Sequence, residues 1–253
     1  MDLGLTGRRC LVTGATEGIG RAAALSLARE GATLVLVARR PEALTAVATA
    51  VVAAGGTQPV PLAADLTRAE DRARVARDAE AAVGPIEVLV NNAGGSRPLG
   101  PDDSPEVWEE AFALNFHAAR ELSGHVVPAM RRARWGRIIN LSGATAAKTL
   151  NASIPAKVAL IAWSRSLAAE VAPFGITVNC IAPGRINSEQ ILKRLHPTEE
   201  SRAKFIAENI PMGRFGEPEE LADLVTFLAS PRAAYISGTN IPVDGAMARL
   251  AFY

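Results

Sequence analysis

"CLVTGATEGIG", residues 10–20, sets a short apolar run against a glycine-rich turn that leads directly into a helical pattern. Gly14, Gly18 and Gly20 permit a tight reversal, close approach of backbone to a pyrophosphate, and close packing of helix on strand. The helix that follows offers unpaired amides and the positive end of its dipole to phosphates. Many strand–helix turns contain glycine; position after the first strand of an alternating chain makes this one a dinucleotide site. Outward from the turn, "RRCLVTG" (8–14), "ATLVLVA" (32–38), "QPVPLAAD" (58–65), "IEVLVNN" (86–92), "GRIINLS" (136–142) and "GITVNCIAP" (175–183) read as strands. Between them, near 18–30, 41–54, 67–83, 105–132 and 155–172, apolar positions recur at helical spacing, and a last helix is expected at 217–229. Val158, Leu160, Ile161, Leu167, Ala168 and Val171 share one broad face of the 155–172 helix. This α/β alternation predicts a parallel sheet covered on both faces by right-handed crossovers. The strands are nearly continuous apolar runs, as burial of both sheet faces requires. No low-complexity linker or repeat interrupts the pattern, so residues 1–253 read as one domain. A helical excursion at about 184–216, rich in Arg, Lys and Glu, is expected to act as a lid over the sheet's C-terminal edge.

Composition excludes several classes. Lys plus Arg (27) nearly cancel Asp plus Glu (26), so bulk charge makes no case for nucleic acid or an acidic membrane as partner. No apolar run approaches the ~18 residues of a membrane span, and "MDLGLTGRRCLVTG" lacks the layout of a signal peptide. Cys10 and Cys180 each lie inside an apolar stretch. They read as buried reduced thiols in a cytoplasmic protein, not as a disulfide or a metal pair, and no metal site is expected. After the second strand, where NAD-preferring folds carry an acid for the ribose hydroxyl, stand Arg39 and Arg40. Paired guanidinium donors suit a 2′-phosphate, and a cation at a helix start opposes the dipole, so function explains these arginines better than local stability. NADP(H) is therefore favoured over NAD(H).

Taken together, "TGATEGIG", "NNAG" (91–94), "ALN" ending at Asn115, "VNCIAPGRINS" (178–188) and "YISGTNIPVDG" (235–245) resemble the short-chain dehydrogenase/reductase family, in order and over essentially the whole chain. Bulk similarity is to the 3-oxoacyl-acyl-carrier-protein reductase branch, especially its divergent members. The resemblance implies a doubly wound Rossmann fold with seven parallel strands, a cofactor along the C-terminal edge, and a small-molecule carbonyl or hydroxyl substrate. It also implies a homotetramer, with a dimer as the alternative, for which helices 105–132 and 155–172 are long enough to form the interface. To the cofactor it assigns Gly14, Thr16, Gly18, Ile19, Gly20, Arg39, Arg40, Asp65, Leu66, Asn91, Ala93, Gly94, Lys157, Pro183, Gly184, Ile186 and Ser188. Asp65 would meet adenine, Asn91 would brace the strand beside the ribose, and Ser188 would hold the nicotinamide amide where threonine is usual. Glu17 departs from the basic residue often seen in NADP-using relatives.

Relatives are expected to use an Asn on a long helix, a Ser after the fifth strand, and Tyr-x-x-x-Lys at the next helix. A carbonyl accepting hydride develops negative charge on oxygen and needs a proton donor in place. A lysine ammonium lowers the phenol pKa from its usual value of about 10. In this chain Asn115 and Lys157 match; Ser153 takes the tyrosine place, and Gly143 takes that of the serine, next to Ser142. The catalytic candidates are thus Asn115, Ser142, Ser153 and Lys157, with Thr145 also placed to serve in a loop shorter than usual. The Ser153 hydroxyl falls short of a phenol's reach, and loss of a general acid typically costs a factor of roughly 10²–10⁴. Other proton sources are His196 in the excursion and Tyr253 at the end of an apolar tail; Tyr235 reads as packing, and His117 and His125 as packed or exposed. "MRRARWGRII" (130–139) resembles a carrier-protein docking stretch, but Phe174 stands where a second docking arginine is usual. Arg185, Lys193 and Arg194 suit an anionic substrate, although a solvated charged face is the commoner explanation. Two functions follow: an NADP(H)-dependent reductase of a carbonyl or oxoacyl compound with a relocated acid, or a cofactor-binding pseudoenzyme with a sensing or assembly role. A lone Tyr→Ser change in an ordinary reductase would leave Gly143 and the short loop unexplained.

Overall fold

Seven parallel strands form one sheet in the order β3-β2-β1-β4-β5-β6-β7. They are β1 (Arg9–Thr13), β2 (Thr33–Ala38), β3 (Val60–Ala63), β4 (Val88–Asn91), β5 (Gly136–Leu141), β6 (Ile176–Pro183) and β7 (Asn240–Val243). The computed structural model describes residues 2–100, 104–143, 150–188 and 191–247. Eight α-helices lie among these residues: α1 (Gly18–Arg29), α2 (Pro41–Ala53), α3 (Ala69–Val83), α4 (Pro105–Phe112), α5 (Ala118–Ala133), α6 (Ser153–Val171), α7 (Glu199–Asn209) and α8 (Pro218–Ala229).

Strand residues alternate between two cores, and this is why the strands read as unbroken apolar runs. Cys10, Val12, Leu34, Leu36, Val88, Val90 and Ile139 pack with α1, α2 and α8 on one face. Leu11, Val35, Val37, Leu89, Ile138 and Val178 pack with α3, α5 and α6 on the other. Both cysteines are buried and free. The arrangement is Rossmann-like. From β1 the chain builds outward to β2 and β3, then returns to place β4 on the other side. That reversal opens a crevice at the C-terminal ends of β1 and β4, where such sheets bind ligands. Among the described residues no helix is long and apolar enough to cross a membrane.

Two elements differ from the periodicity. β3 is shorter than expected because it is an edge strand containing Pro61, which has no amide to donate. The helix expected at 105–132 is interrupted by a π turn at Ala113–His117. Such turns insert one residue into the ladder and often mark functional positions.

The strand–helix joint after β1 leaves no room for a side chain. A Cβ on Gly20 would lie 2.2 Å from the Gly14 carbonyl oxygen. Gly20→Ala is expected to destabilise the protein by about 1–3 kcal/mol in denaturant unfolding. Gly124→Ala, in α5 with nothing within 4 Å of the added methyl, should instead stabilise by about 0.5–1 kcal/mol. Equal effects of the two changes would show that the joint can relax.

Candidate active site

The glycine turn is stitched to the end of β4. Asn92 Nδ2 donates to the carbonyls of Thr13 (3.1 Å) and Gly14 (3.0 Å). Thr13 Oγ1 accepts from the amides of Asn92 and Ala93, both at 3.0 Å, and donates to Val90 O at 3.3 Å. Neither Thr13 nor Asn92 is among the sequence candidates; the second Asn of "NNAG" is the signal that could have found one of them. Gly14 and Gly18 sit at φ +63° and +49°, in the left-handed region. Glu17, at the N-cap of α1, makes no side-chain capping bond, and the first turn holds no acid. Its amides are therefore open to an anion. Thr16 is half-buried beside them, and Ile19 packs on the core. Opposite, a Cβ on Gly18 would lie 3.2 Å from Ser188 Cβ. A cleft of about 220 Å³ runs here beside α1, lined by Arg21, Asn187, Ser188, Leu192 and the start of α8.

At the β2 end, Arg39 is exposed and makes no ion pair among the described residues, whereas the Arg40 guanidinium is paired with the Glu17 carboxylate. The acid in the turn thus occupies one of the two arginines. Asp65 Oδ1 accepts from Thr67 N (3.0 Å) and Thr67 Oγ1 (2.8 Å), which closes a turn after β3. Arg72 holds that turn through the carbonyls of Leu66 and Thr67 and is itself paired with Glu121 at 2.6 Å. The Leu66 side chain is buried in the core, so only its main chain can face a ligand. Asn91 Nδ2 donates to Asn140 Oδ1 at 2.8 Å, and Asn140 Nδ2 to Ser164 Oγ at 2.8 Å. Asn91, Asn140 and Cys180 are in register across β4, β5 and β6. The other amide atom, Asn91 Oδ1, is buried without a partner.

Asn115 lies in the π turn, buried, with its amide donating to Ala111 O (2.9 Å) and Gly95 O (3.2 Å) and accepting from Gly95 N (3.0 Å). A Cβ on Gly94 would lie 3.0 Å from Asn115 Oδ1 and 3.7 Å from Lys157 Nζ, so these two side chains converge on Gly94. Lys157 Nζ donates to the carbonyls of Ser142 and Leu141 at the end of β5. Burial pushes its ammonium down to about 8, and its titratable neighbour, the Cys180 thiol, is itself raised by burial. A Cβ at Gly143 would lie 3.1 Å from Lys157 Cδ, so the bare glycine makes room for the lysine stem.

The structure does not bring the two serine hydroxyls to that point. Ser142 Oγ lies within hydrogen-bond distance of Ile181 O (2.9 Å) and Asn240 Oδ1 (2.8 Å), toward β6 and β7. Ser153 Oγ donates to Asn151 Oδ1 at 2.6 Å. The same oxygen accepts from Ser153 N and Arg97 N, while Asn151 Nδ2 donates to Ser96 Oγ at 2.7 Å. Asn151 thereby ties the start of α6 to the loop after β4, a role that sequence reasoning missed. Thr145 and Tyr253 lie outside the described residues.

After β6, Gly184 N donates to Val243 O, and a Cβ on Gly184 would lie 2.6 Å from Asp244 Cα, so this turn too requires glycine. Pro183 closes β6, and the Ile186 side chain points into the core. The excursion contains a π turn (Ile191–Leu195) and α7. His196 packs between Phe205 and Phe215, and burial holds its pKa below the usual value, helped by Arg185 and Arg202. His117 packs with Phe112 and Phe116, while His125 is exposed on a groove beside α3. Tyr235, expected to pack, is fully exposed because the preceding 3-10 turn buries Ala233 instead. The 130–139 basic stretch is largely engaged within the chain. Arg131 pairs with Glu170 and stacks on Phe174, Arg134 bonds Pro173 O, and buried Arg137 bonds the carbonyls of Gly136, Gly175 and Ser230.

Comparison with known proteins places this geometry. The family profile for Enoyl-(Acyl carrier protein) reductase matches residues 14–248. The chain is 36% identical over 252 residues to the 3-oxoacyl-[acyl-carrier-protein] reductase of Aquifex aeolicus, covering 98% of this chain and 100% of the relative. The 3-oxoacyl (acyl-carrier-protein) reductase of Agrobacterium tumefaciens, solved with NADP bound, is 29% identical with a TM-score of 0.91, covering 96% of this chain and 95% of that one. The L-sorbose reductase of Gluconobacter frateurii, solved with NADPH and L-sorbose, is 33% identical with a TM-score of 0.94, covering 99% and 100% of the two chains. Matched along its whole length by reductases of different substrates, the chain belongs to the short-chain dehydrogenase/reductase family of oxidoreductases.

Proposed function

We propose that this protein is an NADP(H)-dependent reductase of a small carbonyl or oxoacyl compound, cytoplasmic and homotetrameric. The observation that carries the reading is the convergence of Asn115 and half-buried Lys157 on Gly94, at the sheet edge where the glycine turn opens. The residues present fit the cofactor. The bare turn and uncapped amides of α1 would hold its pyrophosphate, Arg39 its 2′-phosphate, Asp65 its adenine, and Ser188 its nicotinamide amide. NADP-bound relatives support the same choice. When bound, the cofactor supplies the hydride. Lys157 would then orient the ribose and keep a positive charge beside the developing alkoxide. Asn115 would hold water on the path that restores the proton. The 184–216 excursion would close over the edge as a lid and exclude solvent.

A second reading, a cofactor-binding protein without turnover, is favoured by one observation: the hydroxyls of Ser142 and Ser153 are both engaged away from Lys157. NADPH oxidation over a carbonyl panel separates the two. Turnover is expected with at least one carbonyl, to be lost in Lys157→Met, and to fall as pH rises through about 8 and the Lys157 ammonium discharges. Tight NADPH binding with no turnover across the panel would select the second reading. Ser153→Tyr should raise turnover by roughly 10²–10⁴ if a phenol is all that the site lacks; an unchanged rate would mean that the remaining groups are not poised for catalysis. On cofactor choice, Arg39→Asp should weaken NADPH by about tenfold or more while sparing NADH, since charge-assisted phosphate contacts are strong. Glu17→Ala, which frees Arg40, should tighten NADPH. Equal effects on both cofactors in titrations would refute the assignment.

A further inference from the structure

Arg185 follows Gly184 at the C-terminal end of β6 and turns beneath α7. Its guanidinium stacks on the Phe205 ring at 4.8 Å, and its Nε is shut off from solvent with no acceptor. Elsewhere the half-buried or buried arginines each have an acceptor: Arg8 and Arg9 in Glu87, Arg72 in Glu121, Arg97 in Glu110, Arg137 in three carbonyls, and Arg131, whose own Nε is also unpartnered, in Glu170. Arg185 has neither a carboxylate nor a carbonyl partner among the described residues. The residue is half-buried, and leaving this one N–H donor shut off without an acceptor costs about 1–3 kcal/mol, which stacking on one ring, worth about 2 kcal/mol or less, offsets only in part. Burial accordingly lowers its pKa, and no acid acts in the opposite direction.

The neighbours deepen the imbalance. His196 lies 4.6 Å from the same Phe205 ring, and its Nε2 is also buried without a partner. Arg202 is anchored to the carbonyls of His196 and Pro197, and the acid it pairs with, Glu199, is 96% exposed. Around Phe205 and Phe215 there is thus positive charge, two unused buried nitrogens and aromatic wall, and among the described residues no carboxylate pairs with Arg185. A planar acceptor with two oxygens complements such a set, because guanidinium and carboxylate match as parallel forks.

We infer that Arg185, aided by His196, forms an anion-binding pocket under α7 that takes the carboxylate of an oxo-acid substrate. The inference rests on the reductase reading for the carbonyl end of that substrate, near Lys157, and adds the class of its other end. The site selects acids over their neutral analogues.

The test is binding of pyruvate, acetoacetate and levulinate, each against its methyl ester, to the protein saturated with NADP⁺, where no turnover competes. Affinities are read by calorimetry in the unaltered protein, Arg185→Met and Arg185→Lys. At least one acid should bind ten times or more tightly than its ester. That preference should vanish in Arg185→Met, which keeps the apolar stem on Phe205, and survive in part in Arg185→Lys, with NADP⁺ affinity unchanged in both. Equal binding of acid and ester in all three pairs, or a preference undiminished in Arg185→Met, would overturn the pocket. The two proposals fail separately. Reduction of neutral carbonyls by Arg185→Met at the unaltered rate, without acid preference in either protein, removes the pocket alone; acid-selective binding without NADPH oxidation removes the reductase reading alone.

Discussion

The contact between Gly20 and the Gly14 carbonyl is the constraint on which the rest of the site depends. With 2.2 Å from that oxygen to any Cβ, α1 can pack against β1 only if residue 20 has no side chain. The same carbonyl accepts from Asn92, which pins the end of β4 to the turn. Thr13 repeats the link one residue earlier. Two strand ends on either side of the topological reversal are thereby held at fixed separation, and the amides of α1 are aimed into the crevice between them. A cradle suited to a pyrophosphate is built here before any charged side chain is considered.

Chemistry is set by a second constraint, the burial of a lysine. Among the described residues Lys157 has no carboxylate partner; two backbone carbonyls at the end of β5 hold its ammonium, and burial brings its pKa to about 8. Gly143 and Gly94 are what make this possible, since a side chain at either would press on Lys157 or Asn115. The small residues flanking the lysine are therefore consistent with one another. Gly143 accommodates the stem, Ser142 turns to β7, and Ser153 joins Asn151 in bracing α6. Such mutual adjustment is unlike a working site from which one phenol has been deleted, where the surrounding groups would still face the gap.

Much of the fold is legible in the sequence, for physical reasons. Strands buried on both faces leave continuous apolar runs, glycines at forced positions punctuate the turns, and amphipathic helices repeat between them. Asn115 and Lys157 are legible through the family resemblance, since each stands at the matching place of its motif. Hydroxyl direction is not. The Ser142 partner, Asn240, is 98 residues away in the chain, and nothing local reports it. The pairing of Arg40 with Glu17 likewise joins residues 23 apart, so two adjacent arginines that look equivalent differ in availability. Arg185 reads in sequence as one more charge on a solvated face, and only packing against Phe205 reveals a guanidinium whose Nε has no acceptor among the described residues. The π turn is invisible for another reason: α5 keeps its apolar face toward the sheet while α4 packs on α6, so one inserted residue between them hardly disturbs the pattern.

The central claim is that this edge carries hydride to a carbonyl, and isotope transfer tests it most directly. The protein is incubated with NADPH carrying deuterium at the transferable C4 position and a mixture of carbonyl compounds, and the alcohols are weighed by mass spectrometry. The account predicts a product alcohol that has gained one deuterium on the former carbonyl carbon, from only one of the two C4-labelled epimers of the cofactor. NADPH bound at the glycine turn, with no deuterium appearing in any alcohol, would contradict it.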